Sequence, residues 1–152
     1  DSYLRKGEIR MAQVLKVNLP FDLRTSHDND LFYKTAHEKQ IFILPYCNSC
    51  DQYFWPGAFI CQHCGSTDVE WKEASGHGKI YSHVEGRFPF HKAIKEHLPI
   101  AICSVTLDEG PRVFGRLVNY GDIEKVSCDA PVHLVWLQDD EKGCTIMGFE
   151  LD

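Results

Sequence analysis

Residues 47–64 read CNSCDQYFWPGAFICQHC and contain two Cys-x2-Cys pairs that are separated by ten residues. Each pair can present two thiolates to one ion, so the two pairs together complete a tetrahedral site. The spacing therefore predicts a metal site formed by Cys47, Cys50, Cys61 and Cys64. We expect one zinc ion per chain and keep a rubredoxin-like iron centre as the alternative, because the same four sulfurs suit iron. Four sulfurs leave no open position, so the predicted role is structural rather than catalytic.

Strand-like segments lie around both cysteine pairs and predict a zinc ribbon. Residues 41–44 lead into the first pair, residues 52–55 lead out of it, and residues 69–71 follow the second pair. His63 lies inside the second pair, but four thiolates already fill the coordination shell, so we expect its ring to face solvent. The small core of the ribbon is predicted to contain five aromatic residues: Tyr53, Phe54, Trp55, Phe59 and Trp71.

The segment before the ribbon divides into an extended arm and a helix. Residues 1–25 show no clear period, which favours an extended arm. Residues 1–10 precede Met11 and fit either a native arm or residues added in cloning. Ser26 or Asp28 can cap a helix that continues to about residue 39. Its apolar stripe is narrow, so we expect the helix to dock on the ribbon or on another subunit.

The second half of the sequence carries almost only β signals. Gly76-His77-Gly78 is predicted to form a hinge, because glycine relaxes the backbone, between a helix-and-ribbon domain (residues 26–75) and a second domain (residues 76–152). Turn compositions in the second domain separate five segments that are rich in β-branched and apolar residues. These features predict a mainly β chain that ends in a small five-stranded barrel. The predicted strands are residues 79–84, 100–107, 112–118, 132–137 and 145–151.

Charge and composition restrict the partners and the compartment. The net charge of −6, from 16 Lys+Arg and 22 Asp+Glu, disfavours binding to a phosphate backbone. No segment approaches the roughly 18 apolar residues of a membrane helix, and no basic-then-apolar leader opens the sequence. We therefore expect a cytoplasmic protein with neither nucleic acid nor membrane as a partner. The number of cysteines, seven, is odd, and four of them lie in the two Cys-x2-Cys pairs. This pattern favours metal binding over disulfide bonds.

One segment of the second domain is both basic and aromatic. Arg87, Phe88, Phe90, His91 and Lys92 lie within six residues and show no periodic pattern, which predicts a loop. Such a loop could contact the phosphates of a nucleotide and stack on its base. An equally weighted alternative is a solvated loop with two core phenylalanines.

No set of residues marks a catalytic site. Cys103, Cys128 and Cys144 are isolated in the sequence, and Cys103 is expected to be a buried hydrophobic residue of a strand. Residues 139–141 are acidic but are followed by Lys142 and a glycine, which is typical of a polar turn. The sequence has no Gly-rich phosphate loop and no serine elbow. We therefore predict no catalytic residues.

The sequence resembles a family of small proteins in which a rubredoxin-like zinc ribbon precedes an OB fold. The resemblance covers about residues 28–151 and is carried, in order, by Phe32-Tyr33-x4-Glu38, the ribbon at 47–66, GHGKIYS at 76–82 and LPIAICSVTLDEGPRVFGRLV at 98–118. It implies that the predicted barrel is of the OB type. Residues 85–97 depart from the family pattern, so a substrate role for this segment rests on composition alone.

The resemblance implies an accessory subunit of a thiolase-type complex, such as benzoylsuccinyl-CoA thiolase. Family members bind a thiolase-like or aldolase-like enzyme subunit and help to hold or pass on the acyl-CoA, while the chemistry belongs to that partner. The expected partners are therefore such an enzyme subunit, in a hetero-oligomer, and acyl-CoA or CoA at the interface. Two other functions stay open: a single-stranded nucleic-acid binder, since ribbons and OB folds both serve that role, and a rubredoxin-like electron carrier.

Overall fold

A computed structural model describes residues 12–152, so the predictions for residues 1–10 lie outside the described residues. Five strands form a closed barrel: β5 (His77–Gly86), β6 (Ile100–Leu107), β7 (Arg112–Leu117), β8 (Pro131–Asp139) and β9 (Cys144–Leu151). Their order is β5-β6-β7-β9-β8, and the barrel closes because β8 also pairs with β5. The pair β7–β9 is parallel and the other barrel pairs are antiparallel. This confirms the predicted mainly β chain and five-stranded barrel.

The predicted arm is extended, but it also joins the barrel sheet. Strand β1 (Gln13–Lys16) pairs in parallel with β8, with Gln13 opposite Val135 and Lys16 opposite Gln138. Strand β5 pairs with β8 only over residues 131–133, so β1 occupies the edge of β8 that β5 leaves open. This pairing satisfies backbone groups of β8 that would otherwise lack a partner in the sheet.

Three short strands form the ribbon sheet in the order β3-β2-β4. They are β2 (Ile43–Cys47), β3 (Gln52–Tyr53) and β4 (Val69–Glu73), and all of their pairings are antiparallel.

The prediction that five aromatic residues form the core of the ribbon is mostly wrong. Only Phe54 packs with the cysteines, whereas Phe59 is 67% exposed. Tyr53, Trp55 and Trp71 instead pack, partly buried, against the larger core cluster, which contains residues of the helix, the ribbon and the barrel.

The predicted helix is present as α1 (Asp30–Lys39), preceded by a 3₁₀ turn at His27–Asn29. The predicted capping is wrong: Ser26 lies at the N-cap of the 3₁₀ turn but does not cap through its side chain, and Asp28 lies inside that turn. Asn29, at the N-cap of α1, does not cap through its side chain either. The hydroxyl of Ser26 accepts a bond from Nδ2 of Asn29, and Oδ1 of Asn29 accepts one from the Gly57 N–H. The helix docks on its own chain, since Phe32 and Ala36 are fully buried.

The larger of two hydrophobic clusters in residues 12–152 joins helix, ribbon and barrel. Phe32 lies 4.7 Å from Trp55 and 6.0 Å from Trp136, measured between ring centroids. The predicted hinge is closely packed: a Cβ on Gly76 would lie 2.8 Å from Leu134, and one on Gly78 would lie 2.5 Å from the Thr106 carbonyl oxygen. These glycines therefore permit close contact between segments rather than a loose connection. Among residues 12–152, no helix is long and apolar enough to cross a membrane.

Candidate functional site

The four predicted metal ligands come together at the tip of the ribbon. Their sulfur atoms all lie within 4.8 Å of one another. The Sγ–Sγ distance is 3.6 Å between Cys47 and Cys64, and 3.7 Å between Cys50 and Cys61. A tetrahedron with metal–sulfur bonds of about 2.3 Å has edges of roughly 3.8 Å, so the donor set fits one tetrahedral ion.

Matching local structure positions the two cysteine pairs. The residue after each pair, Asp51 or Gly65, has a positive φ, of 53° and 75° respectively, which turns the chain back past the sulfurs. The His63 N–H donates to Cys61 Sγ at 3.3 Å, while its side chain is exposed, as predicted. The Ser49 and Ser66 hydroxyls lie 2.7 Å apart and join the two turns. The two turns and these hydrogen bonds thus hold the four sulfur atoms close together.

The crowded sulfurs affect one another's ionisation. Burial raises the pKa of Cys50 to about 12, assisted by hydrogen bonds with Cys47 and Cys61. Burial also opposes ionisation of Cys47, but backbone N–H groups of Cys50 and Ser49 outweigh it and lower the pKa of Cys47 to about 7. Four adjacent thiolates repel one another, so a bound cation is needed for all of them to ionise, and its binding releases protons.

The two buried cysteines outside the cluster, Cys103 and Cys144, give no sign of a nucleophile. Cys103 is fully buried in the barrel, as predicted, and its thiol contacts the Gly115 carbonyl oxygen at 3.6 Å. Burial raises the pKa of Cys103 to about 11 and also raises that of Cys144. Both thiols therefore stay protonated and unreactive at neutral pH.

The basic, aromatic loop lies between β5 and a 3₁₀ helix at Lys92–His97. Phe88 and Phe90 are 77% and 78% exposed, so the alternative that placed them in the core is wrong. The His91 ring lies 5.2 Å from that of Phe21, and its Nδ1 accepts a bond from the Ala93 N–H. His91 therefore caps the 3₁₀ helix, while Lys92 is exposed.

Arg87, also in this loop, is already paired. Its Nε donates to Glu85 at 2.6 Å, and the other oxygen of that carboxylate accepts a bond from the Tyr120 hydroxyl at 2.5 Å. The Tyr120 hydrogen bond, followed by that of Arg87, lowers the pKa of Glu85. The carboxylate thus stays ionised and offsets the Arg87 charge.

An apolar groove of about 410 Å³ lies beside the loop, and the sequence analysis missed it. The arm forms one wall, Phe90 and the 3₁₀ helix form the second, and residues of β5, β6, β7 and β9 form the floor. The sequence of β6 contained an indication of this groove, because apolar residues occupy both faces of the strand. Ala101 and Cys103 point into the core, and Ile100 and Ile102 point outward. The groove residues used below are Leu19, Phe21, Val84, Phe90, Ile102 and Arg116.

Comparisons with known proteins agree with this architecture. The family described as the C-terminal OB-fold domain of ChsH2 matches residues 71–137. A chain of a solved structure, "Ltp2-ChsH2(DUF35) aldolase", is 30% identical with a TM-score of 0.72, covering 84% of this chain and 96% of that one. A protein of unknown function from the DUF35 family of Sulfolobus solfataricus has a TM-score of 0.56 at 15% identity, over 84% of this chain and 87% of that chain; this likeness concerns the fold alone.

Two curated proteins are also similar. A probable enoyl-CoA hydratase alpha subunit of Thermomonospora curvata is 31% identical over 115 residues, which are 76% of this chain and 35% of that protein. A DUF35 domain-containing scaffold protein of Methanocaldococcus jannaschii is 31% identical over 89 residues, which are 57% of this chain and 62% of that protein. The chain thus spans about a third and about three fifths of the lengths of these two relatives.

Proposed function

Because the chain belongs to the DUF35 family of OB-fold proteins, we propose that it is a non-catalytic accessory subunit of a thiolase-type or aldolase-type acyl-CoA enzyme complex. The observation that carries this proposal is the likeness to the DUF35 chain of the solved aldolase, at 30% identity over 96% of that chain. The relatives named as a scaffold protein and as an enoyl-CoA hydratase subunit support the same kind of role.

The metal centre supports a structural division of labour. In this proposal zinc occupies the four-cysteine site and stabilises the ribbon, because a closed shell of four sulfurs has no position for water or substrate. The buried thiols of Cys103 and Cys144 are not activated. Catalytic groups would then come from the partner subunit.

The partner is proposed to dock on the helix and ribbon. Leu31, Phe59 and Ile60 are large apolar residues that are half exposed or more, and the His27 ring lies 6.3 Å from that of Phe59. We call these four residues the ribbon surface. Exposed apolar residues of this size are typical of protein–protein contacts. The hydrogen bond from Gly57 N–H to Asn29 fixes helix and ribbon relative to each other, so the surface is preformed.

The loop beside β5 is the proposed contact for acyl-CoA at the partner interface. Phe88 is exposed and free to stack on a base, and Lys92 is exposed and can pair with a phosphate. Arg87 is the weakest of the proposed contacts because Glu85 already neutralises it. His91 contributes by holding the start of the 3₁₀ helix.

The test is affinity purification from the native host, followed by co-expression of the chain with the protein that co-purifies. We expect one co-eluting complex, and we expect the partner alone to lose stability or turnover. A partner that is fully active without this chain would overturn the proposal.

Two further measurements test the alternative functions. Metal analysis tests for an electron carrier, which would contain stoichiometric iron and show a reversible redox wave. A fluorescence-polarisation titration with single-stranded nucleic acid at several salt concentrations tests for a nucleic-acid binder, whose affinity would depend steeply on salt.

A further inference from the structure

The apolar groove contains one cationic group, the guanidinium of Arg116. Arg116 lies on β7 opposite Ile102 of β6, so both side chains extend from the same outer face of the sheet. Its Nε is buried and has no hydrogen-bond partner among residues 12–152. None of the ion pairs in that part of the chain includes Arg116.

Two other arginines of the barrel show what a satisfied guanidinium looks like in this protein. Arg87 pairs with Glu85, and Arg112 donates to the Thr106 hydroxyl at 3.3 Å and lies 3.5 Å from the centre of the Tyr81 ring. Arg116 has neither kind of contact. Burial lowers the pKa of Arg116, in keeping with a cation that has lost part of its water without gaining a counter-ion.

The other surfaces of the groove are apolar. Leu19 and Phe21 of the arm, Val84 of β5, Phe90 of the loop and Ile102 of β6 all line it. Asp22 also reaches the groove from the arm, but it is exposed and belongs to none of the ion pairs among residues 12–152. An apolar cavity with one convergent charged group is the usual form of a small-molecule site.

We propose that this groove binds an organic anion with an apolar body and a single carboxylate, and that Arg116 is its counter-ion. The apolar part would displace water from the groove walls, while the carboxylate would accept the hydrogen bond that the buried Nε–H of Arg116 lacks. Charge complementarity selects the anion, since a partly buried guanidinium without a partner is unfavourable. This site goes beyond the proposed function, because it belongs to the barrel of this chain and needs no partner.

Calorimetric titration of the full chain with octanoate and with octanamide tests the proposal. The two probes share an apolar body and differ in charge. We expect octanoate to bind with one site per chain and octanamide to bind at least about tenfold more weakly, as is typical for the loss of a charged hydrogen bond. Arg116→Gln should weaken octanoate binding by a similar factor and leave octanamide unchanged. The matched control, Arg112→Gln, removes the same charge from an exposed neighbour and should leave both affinities unchanged.

A second measurement keeps the test independent of how the variant folds. In the unmodified chain labelled with ¹⁵N, saturation with octanoate should shift the Arg116 Nε–H resonance, and octanamide should not. Equal binding of the two probes, unchanged octanoate affinity in Arg116→Gln, or an unmoved Nε–H resonance would each overturn the proposal. If octanoate does not bind but Arg116→Gln abolishes co-purification of a partner, the counter-ion is a protein carboxylate and the small-molecule site is also rejected. Because no partner is added, a negative titration leaves the proposed accessory role standing.

Discussion

The carboxylate of Asp139 connects the arm to the last turn of the barrel. Its Oδ2 accepts a bond from the Leu19 N–H at 2.8 Å, and its Oδ1 accepts one from the Lys142 N–H at 3.0 Å. The side chain is almost fully buried, and these backbone hydrogen bonds lower its pKa. Leu19 is also a wall residue of the groove, so Asp139 holds one wall of that groove against the barrel.

Asp139→Asn should destabilise the protein in a pH-dependent manner. The pKa of Asp139 is lowered in the folded state, so its contribution is fully present above the unfolded value of about 3.9 and is lost as pH falls through the folded value. Thermal melts should therefore show a deficit for the variant at pH 7 that shrinks steadily below about pH 4. Glu141→Gln removes the same charge from an exposed position and is the control. A deficit that is constant with pH, or is equal in the control, would refute this role.

Cys61→Ser should release the metal, because three thiolates and a hydroxyl bind zinc far more weakly than four thiolates. Metal analysis of the purified variant should find much less than one zinc per chain, and far-UV circular dichroism should show loss of ribbon structure, since metal binding supplies folding free energy in such modules. Cys128→Ser, at an exposed cysteine outside the cluster, should retain the metal. A Cys61→Ser variant with stoichiometric zinc and an intact ribbon would contradict the structural role.

At the level of elements, Phe32 is the fully buried aromatic side chain of α1. Phe32 is fully buried between Trp55 of the ribbon and Trp136 of the barrel, whereas its neighbour Leu31 is half exposed. Phe32→Ala should lower the free energy of unfolding by about 3–5 kcal/mol, as buried Phe-to-Ala changes usually do. Leu31→Ala should change it by less than about 0.5 kcal/mol. Urea unfolding curves of the two variants measure both values, and similar losses would show that the helix is not anchored by Phe32.

The exposed part of the ribbon surface can be tested without disturbing the fold. Phe59→Ser should weaken co-purification of the enzyme partner, because the side chain is 67% exposed and its loss leaves the core unchanged. Phe114→Ser is the matched control, since Phe114 is 70% exposed but lies on β7 of the barrel. Both variants should keep the wild-type melting temperature. Partner recovery that falls equally in both, or only in Phe114→Ser, would place the contact elsewhere.

Elements with local patterns could be predicted from the sequence, and elements that depend on distant contacts could not. The barrel strands and the cysteine site follow from β-branched and apolar content, turn residues and ligand spacing, and β6 was predicted at its observed bounds. Strand β1 was not predicted as part of the sheet, because β8, with which it pairs, lies more than a hundred residues away in the sequence. The groove and the unpaired Arg116 were missed for the same reason: they arise where arm, loop and four strands meet.

For the whole molecule, the main consequence of the structure is that ribbon and barrel share their core. Phe42 and Leu44 precede or belong to the ribbon sheet, yet they pack in the same buried cluster as Ile80 and Val105 of the barrel. The Trp136 side chain, fully buried, donates from Nε1 to the Gln40 carbonyl oxygen at 3.1 Å. A boundary at residue 76 would therefore cut through one core, although it separates two sheets.

This shared core predicts that residues 76–152 do not form a stable barrel alone. The fragment would expose Trp136 and leave β8 without β1 along residues 135–138. We expect poor dispersion in its ¹H–¹⁵N spectrum and no cooperative thermal transition, whereas residues 12–152, the control, should give a dispersed spectrum and one cooperative transition. The closely packed glycines at 76 and 78 lead to the same expectation, because they remove the free hinge that would let the two sheets fold apart. A well-dispersed fragment 76–152 that unfolds cooperatively would instead support two independent domains, as the glycine pair in the sequence suggested.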